Sequence, residues 1–115
     1  MRSQVGDEDR EHLLSEIQRK FASREWLYTK HAVDRAIERG IWSHEVEEAI
    51  EVGEIIEDYP KDKYGLSCLV LGWTERRRPL HIQVTYPRPS EKIKVITLYE
   101  PDLKEWEEGF KKRRD

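Results

Sequence analysis

The first half of the chain places its apolar residues with the period of an α-helix. Residues 7–24 carry leucine, isoleucine and phenylalanine at helical spacing, with acidic residues in the first turn, which predicts an amphipathic helix. Residues 30–39 and 44–52 have the same period, and these runs end at Gly40 and Gly53. Because glycine commonly ends a helix in a left-handed conformation, we predict three separate helices in this half.

After residue 53 the period of the apolar positions changes to two, which indicates strands. Residues 55–59 predict a first strand, and residues 64–74 are apolar on both faces, as in a central strand. Residues 80–86 alternate strictly, and residues 92–99 predict the last strand. Short polar turns join these runs, so we expect an antiparallel meander of about four strands.

The last residues, 102–115, return to a helical pattern. Leu103 and Trp106 are expected to face inward, and a basic tail follows them. Helices gathered before the sheet, with one more after it, define an α+β fold. We divide the chain into an N-terminal amphipathic helix extension, residues 1–27, and a single α+β domain, residues 28–115.

Length and composition agree with one folded domain. The chain has 115 residues, of which 37% are hydrophobic and 39% are charged. Cys68 is the only cysteine, so an intramolecular disulfide and a cysteine-based zinc site are excluded. No apolar run approaches the roughly 18 residues of a membrane span. We therefore expect no signal peptide, no membrane contact and a cytoplasmic location.

Charge is distributed unevenly along the chain. Residues 1–60 hold 8 basic and 15 acidic residues, a net charge of −7, whereas residues 61–115 hold 13 and 9, a net charge of +4. A uniformly basic chain would have indicated nucleic acid directly. The split instead allows a basic face on an acidic body, which is a weaker indication of such a partner.

Three cationic or titratable side chains recur every fourth residue in the second predicted helix. At 100° per residue, His31, Arg35 and Arg39 fall within an arc of about 80°. The opposite side carries the apolar residues that we expect to face the core, Val33, Ala36 and Ile37. This column is either the solvated side of an amphipathic helix or a site that binds phosphate and moves protons. A histidine at a helix N-terminus, where anions are favoured, tilts the choice towards a site.

His81 alternates out of the apolar register of the third predicted strand. Thr97 and Tyr99 of the last strand share its face if Ile96 and Leu98 face the helices. The apolar residues in the first half of that strand favour the opposite arrangement. The sequence leaves both arrangements open.

Three consecutive arginines, residues 76–78, occupy the predicted tip between the second and third strands. They are either part of a solvated turn or ligands for RNA phosphates, if an active site lies nearby. The sequence has no glycine-rich phosphate loop and no metal-ligand spacing. The absence of clustered carboxylates argues against a two-metal nuclease.

Three segments together resemble a bacterial family catalogued as domain of unknown function 4258: HAVDRAIERGI, VEEAIEVGEIIEDYP and VITLYEPDLKEWEEGFKKRRD. The resemblance spans residues 28–113. It implies the RelE-like and barnase-like ribonuclease-toxin fold, in which N-terminal helices pack on a curved antiparallel sheet. It also implies a small antitoxin as partner, which for some relatives is a zinc-ribbon protein.

The resemblance further implies the toxin of a type II toxin–antitoxin system, an endoribonuclease that needs no metal or other cofactor. Such cleavage requires a base for the ribose 2′-hydroxyl, an acid for the leaving 5′-oxygen and cations for the phosphorane. Histidine and arginine suit these tasks, although which histidine is acid and which is base stays open. The expected catalytic residues are His31, Arg35, His81 and Tyr99. The expected substrate-binding residues are Arg39, Thr97, Arg76 and Arg78.

A second hypothesis is a non-catalytic module of the same fold that binds a partner protein. The overall acidity favours it, as does the lack of a dense cluster of lysine and arginine on the predicted strands. The expected partners are RNA and a small antitoxin, and a homodimer is also open.

Overall fold

The computed structural model describes residues 7–115. In chain order the elements are α1 (Asp7–Ala22), β1 (Trp26–Tyr28), α2 (Lys30–Arg39), α3 (Ser43–Glu51), β2 (Glu54–Asp62), β3 (Gly65–Trp73), β4 (Pro79–Thr85) and β5 (Ile93–Tyr99). The α+β class is confirmed. The three N-terminal helices and four of the strands match the predicted elements to within three residues at each end.

The sheet has five strands in the order β1-β5-β4-β3-β2. The predicted meander from β2 to β5 is confirmed as antiparallel. The expectation of about four antiparallel strands was wrong in one respect, because β1 adds a parallel strand beside β5. Three residues between two helices are too few to show a period of two, so this strand could not be predicted from periodicity.

The three helices pack on one face of the sheet, which we call the helix face. The core there combines apolar residues of the three helices and the central strands: Ile17 and Phe21 of α1, Ala32 and Ala36 of α2, Val46 and Ile50 of α3, Val70 of β3, and Leu80, Ile82 and Val84 of β4. Helix α1 thus packs against the domain instead of projecting from it. Among the described residues, no helix is long and apolar enough to cross a membrane.

Helix α3 lies unusually close to β3, and a glycine makes this possible. A Cβ atom at Gly72 would overlap the carbonyl group of Ala49 in α3. Any side chain at this position would therefore push α3 away from the sheet.

Helix α2 is rotated relative to the predicted orientation. Ala36 faces the core as expected, together with Ala32, but Ile37 is 74% exposed and Val33 is also exposed. Two alanines allow the helix to lie close to the sheet, and the arc that they bury is centred nearer to Arg39 than to Ile37. The prediction that Val33 and Ile37 face the core was wrong.

The predicted C-terminal helix is also wrong, since residues 101–115 form an irregular strap across the other face of the sheet, which we call the strap face. Trp106 forms an isolated antiparallel bridge with Arg113. The chain reverses direction at Gly109 and Phe110, whose φ angles of 87° and 62° are left-handed and incompatible with a continuous helix. Trp106 is 1% exposed, as predicted to face inward, whereas Leu103 is 48% exposed and does not.

Candidate functional site

Helix α2 lies along the free edge of β5, because β1 pairs only with the first half of that strand. Thr29 begins the helix: its hydroxyl accepts from the backbone N–H of Ala32 at 3.2 Å and donates to the carbonyl of Ile96 at 3.4 Å. At the other end, Arg39 Nη1 donates to the carbonyl of Leu98 at 2.8 Å. The predicted cationic column therefore has its Arg39 end against β5.

The other end of the column contains a contact between His31 and Arg35. Arg35 Nη2 lies 3.0 Å from His31 Nε2, and Arg35 Nη1 donates to Glu38 at 2.9 Å. A guanidinium can only donate, so His31 Nε2 is the acceptor in this contact. The ion pair between Arg35 and Glu38 is typical of a solvated helix face. The contact between His31 and Arg35 is what a candidate site would require, so the structure agrees with both interpretations of the column.

A β-bulge in β5 settles which residues share a face with His81. The register between β4 and β5 shifts between Thr97 and Val95, so Ile96 is an extra residue in β5. A bulge reverses the alternation of side chains, so both halves of β5 turn their apolar residues to the helix face. Thr97 and Tyr99 therefore share the strap face with His81.

His81 is buried beneath the strap, with 0% of its surface exposed. Its Nε2 lies 2.8 Å from the carbonyl oxygen of Phe110, and its Nδ1 lies 3.2 Å from the hydroxyl of Tyr99. The ring centroid of Trp106 is 4.3 Å away, edge-on. Because a carbonyl can only accept, Nε2 carries the hydrogen and Nδ1 accepts from Tyr99. The Tyr99 proton therefore points to the interior.

Burial also controls the protonation of this pair. It lowers the pKa of His81, and it outweighs the Phe110 carbonyl and the nearby Glu57 carboxylate, which both raise that pKa. Burial raises the pKa of Tyr99. The shifts favour the neutral form of both side chains, joined by one hydrogen bond.

Tyr99 also lines an open groove at the end of β5, which we call the β5 groove. The groove has a volume of about 510 Å³, and its other lining residues are Arg39, Glu100 and Glu105. Its lining residues are an arginine, a tyrosine and two glutamates. Among residues 7–115, no group of three or more histidine, cysteine, aspartate or glutamate side chains is arranged to hold a metal ion.

Sequence reasoning missed the two carboxylates of the β5 groove. Glu100 directly follows Tyr99, and this proximity could have identified it. Glu105 reaches the groove only because residues 101–115 form a strap, and no local pattern in the sequence indicates that path.

Arg78 is held by four acceptors around the β3–β4 turn. It donates to Glu100 at 2.8 Å and Glu45 at 3.2 Å, and to the carbonyl oxygens of Gly40 and Arg39 at 3.0 Å each. Each of its three guanidinium nitrogens therefore has a partner. Arg78 joins the ends of α2, α3 and β5, and it could bind substrate only by giving up these contacts.

The remaining predicted site residues are spread over the surface. Arg76 is exposed at the β3–β4 turn, and Thr97 lies opposite Gln83 on the strap face. The structure thus brings together Arg39, Tyr99 and the buried His81 at one place. It pairs His31 with Arg35 at another, and these two do not line the β5 groove.

The chain matches the family model of a domain of unknown function (DUF4258) over residues 28–100. This match covers more than half of the chain, so the chain belongs to that family. It includes α2, α3 and strands β2 to β5, whereas α1 and the strap lie outside it. No curated protein and no solved structure matches the chain. Function therefore has to be argued from the site.

Proposed function

We propose that this chain is a metal-independent endoribonuclease of RelE-like fold, the toxin of a cytoplasmic type II toxin–antitoxin system. The observation that best supports this is the β5 groove, where Arg39 and Tyr99 line one cavity and Tyr99 is hydrogen-bonded to buried His81. A phosphodiester in this groove would meet a guanidinium and a hydroxyl backed by a proton acceptor. These are the groups that 2′-hydroxyl attack on phosphorus requires.

In the proposed reaction, the Tyr99 oxygen accepts the proton of the attacking ribose 2′-hydroxyl. The Tyr99 proton moves at the same time to His81 Nδ1, along the existing hydrogen bond of 3.2 Å. The Phe110 carbonyl and the Glu57 carboxylate stabilise the imidazolium that forms. The 2′-oxygen bonds to phosphorus, the bond to the 5′-oxygen breaks, and that oxygen leaves with a proton from water. The hydroxide formed from this water then takes the His81 proton back through Tyr99, which restores both side chains. His81 thus acts through Tyr99, without touching RNA.

Arg39 supplies positive charge for the phosphorane in this proposal. Its Nη1 is fixed on the Leu98 carbonyl at 2.8 Å, and its other N–H groups have no partner among the described residues. His31 lies eight residues away on the same helix, about 12 Å along the axis. We therefore assign His31 and Arg35 to a neighbouring phosphate of the RNA. Direct proton transfer by His31 stays a prediction.

The test is cleavage of a single-stranded RNA of mixed sequence in the presence of EDTA. We expect Tyr99→Phe and Arg39→Ala each to lower the cleavage rate by at least about 100-fold. Tyr64→Phe, at the β2–β3 turn, is the matched control and should leave the rate unchanged. The products should carry 2′,3′-cyclic phosphates. An inactive wild-type protein, or a fully active Tyr99→Phe variant, would contradict the proposal.

A second candidate function, binding of a partner protein, is favoured by an exposed apolar patch. Ile37 is 74% exposed and Trp42 is 69% exposed, and exposed Val33 lies one turn from Ile37. Exposed apolar patches mark interaction sites, and tryptophan is a frequent anchor in them. We propose this patch as the place where a small antitoxin, for example a zinc ribbon, binds.

Salt dependence of RNA binding distinguishes the two candidate functions. If the site contacts phosphates, affinity for RNA should fall steeply as salt rises, because each contact releases counterions. The variants Ile37→Ser and Trp42→Ser, which add no charge, should leave this RNA binding unchanged. A wild-type protein that binds no RNA at low salt would favour the protein-binding module.

A further inference from the structure

A second groove lies on the strap face, where the ends of β2 and β4 meet the strap. We call it the β2 groove. It has a volume of about 590 Å³ and is lined by Tyr59, Lys61, Asp62, Gln83 and Arg113, among others. It combines an aromatic ring, two cations, two carboxylates and an amide. None of these residues takes part in the reaction proposed above.

Gln83 is held in a single orientation in this groove. Its Nε2 donates to Asp62 Oδ1 at 3.2 Å and to Ser67 Oγ at 3.0 Å. Asp62 can only accept, so a flipped amide would set two acceptor oxygens against each other. Both amide hydrogens are therefore in use, and Gln83 Oε1 is an acceptor that receives no hydrogen bond from the described residues.

The β2 groove lies one strand pair away from the β5 groove. Gln83 is directly opposite Thr97, and Tyr99 is two residues further along β5 on the same face. Residues two apart along a strand are separated by about 7 Å, and residues opposite each other by about 5 Å. A nucleotide whose phosphate lies at Tyr99 can therefore place its base, or that of its neighbour, in the β2 groove.

We propose that the β2 groove binds a nucleobase of the RNA beside the cleaved bond, and that it prefers guanine. Guanine presents two adjacent donors, N1–H and the 2-amino group, and the groove offers Gln83 Oε1 beside the carboxylate of Asp62. Uracil presents a single donor on the same edge. The Tyr59 ring and the Arg113 guanidinium provide surfaces for stacking. The biological role rests on the proposed ribonuclease activity, but the binding does not.

The experiment measures binding of 3′-GMP and 3′-UMP to the full chain by titration calorimetry. We expect 3′-GMP to bind at least about tenfold more tightly, because an unmatched donor–acceptor set is costly. Gln83→Met should abolish the preference. Gln18→Met is the matched control: it removes an amide that donates to the carbonyls of Ile50 and Glu51 on the helix face. This variant should keep the preference.

Three results would overturn the inference: equal affinity for the two nucleotides, a preference that survives in Gln83→Met, or inorganic phosphate that binds as tightly as 3′-GMP. Failure of the ribonuclease proposal can be told apart from these. A wild-type protein that prefers 3′-GMP through Gln83 but cuts no RNA supports the nucleobase site and removes the nuclease. A wild-type protein that cuts RNA but binds 3′-GMP and 3′-UMP equally supports the nuclease and removes the nucleobase site.

Discussion

The two faces of the sheet are covered in different ways. The helix face is sealed by three helices, whose apolar residues interlock with those of β3 and β4. The strap face is crossed by residues 101–115, in which Trp106 is the fully buried large apolar side chain. Packing on the helix face is mainly apolar, and an ion pair between Arg10 of α1 and Asp58 of β2 at 2.6 Å is enclosed in it. Partial cover on the strap face buries a histidine and leaves open grooves beside it.

Trp106 is the point where the strap is attached. Its ring lies against His81 on one side, and the Arg113 guanidinium lies 4.6 Å from its centroid. Arg113 in turn donates to Glu57 at 2.9 and 3.2 Å. Trp106, the Arg113–Glu57 ion pair and the hydrogen bond between His81 Nε2 and the Phe110 carbonyl thus hold the strap on the sheet.

The largest expected effect is on the helix face, at Gly72. We expect Gly72→Ala to lower the free energy of unfolding by more than about 3 kcal/mol, because the new Cβ overlaps the Ala49 carbonyl and displaces α3. Gly40→Ala is the control, since Gly40 has open space around it and only a left-handed φ of 63°. The Gly40→Ala variant should lower the free energy of unfolding by about 1 kcal/mol. Urea denaturation measures both, and equal losses would refute the close approach of α3.

The next largest effect is on the strap face, at Trp106. Trp106→Ala should lower the free energy of unfolding by about 3 kcal/mol, because it removes a fully buried ring. Leu103→Ala, in the same strap but exposed, should stay within about 0.5 kcal/mol of wild type. Denaturation curves of the two variants compare them directly. Similar losses would instead favour a helix with both side chains inward.

A third prediction concerns the pH dependence of stability, to which buried His81 of the strap face should contribute. Burial lowers the pKa of His81, so the folded chain resists a proton that the unfolded chain binds near pH 6.5 and below. Stability should therefore fall as the pH is lowered through 6.5. Between pH 7.5 and 5.5, wild type should lose up to about 1 kcal/mol more than His81→Asn. His44→Asn, at an exposed position, should follow wild type. Parallel pH profiles for His81→Asn and wild type would show that His81 is not buried as neutral imidazole.

The smallest effects distinguish two cations of the strap. Arg113→Ala should lower the free energy of unfolding by about 1 kcal/mol, because it removes a bidentate ion pair with Glu57 and the cation–π contact with Trp106. Lys111→Ala breaks only an exposed ion pair with Glu54 at 3.1 Å and should stay within about 0.5 kcal/mol of wild type. Thermal melts of the two variants test this order. A larger loss for Lys111→Ala would show that the strap is held at a different point.

The helix face could be predicted in part from periodicity, which was right for α1 and α3 but placed Val33 and Ile37 of α2 in the core, although both are exposed. The helices and the meander follow from it. The strap could not be predicted, since residues 102–115 have good helical periodicity and only tertiary contacts of Trp106 override it. Strand β1 could not be predicted either, because it has three residues and forms only through its long-range pairing with β5.

The candidate site was predictable in its parts but not in its assembly. Spacing in α2 identified Arg39, and alternation in β4 identified His81. The bulge at Ile96, which places Tyr99 beside His81, has only an indirect signature in the sequence: the two halves of β5 predict opposite orientations, and a bulge between them reconciles the two. Burial of His81 beneath the strap was likewise hidden, and it changes the proposed role from direct contact with RNA to action through Tyr99.

The most direct test of this account is the RNA cleavage rate of His81→Asn at pH 7.5. Asparagine keeps an acceptor opposite the Tyr99 hydroxyl but cannot take up a proton. If His81 receives the Tyr99 proton, the rate should fall about 100-fold relative to wild type, while the thermal melt shows that the chain remains folded. A folded His81→Asn variant that cuts RNA at the wild-type rate would contradict the central claim.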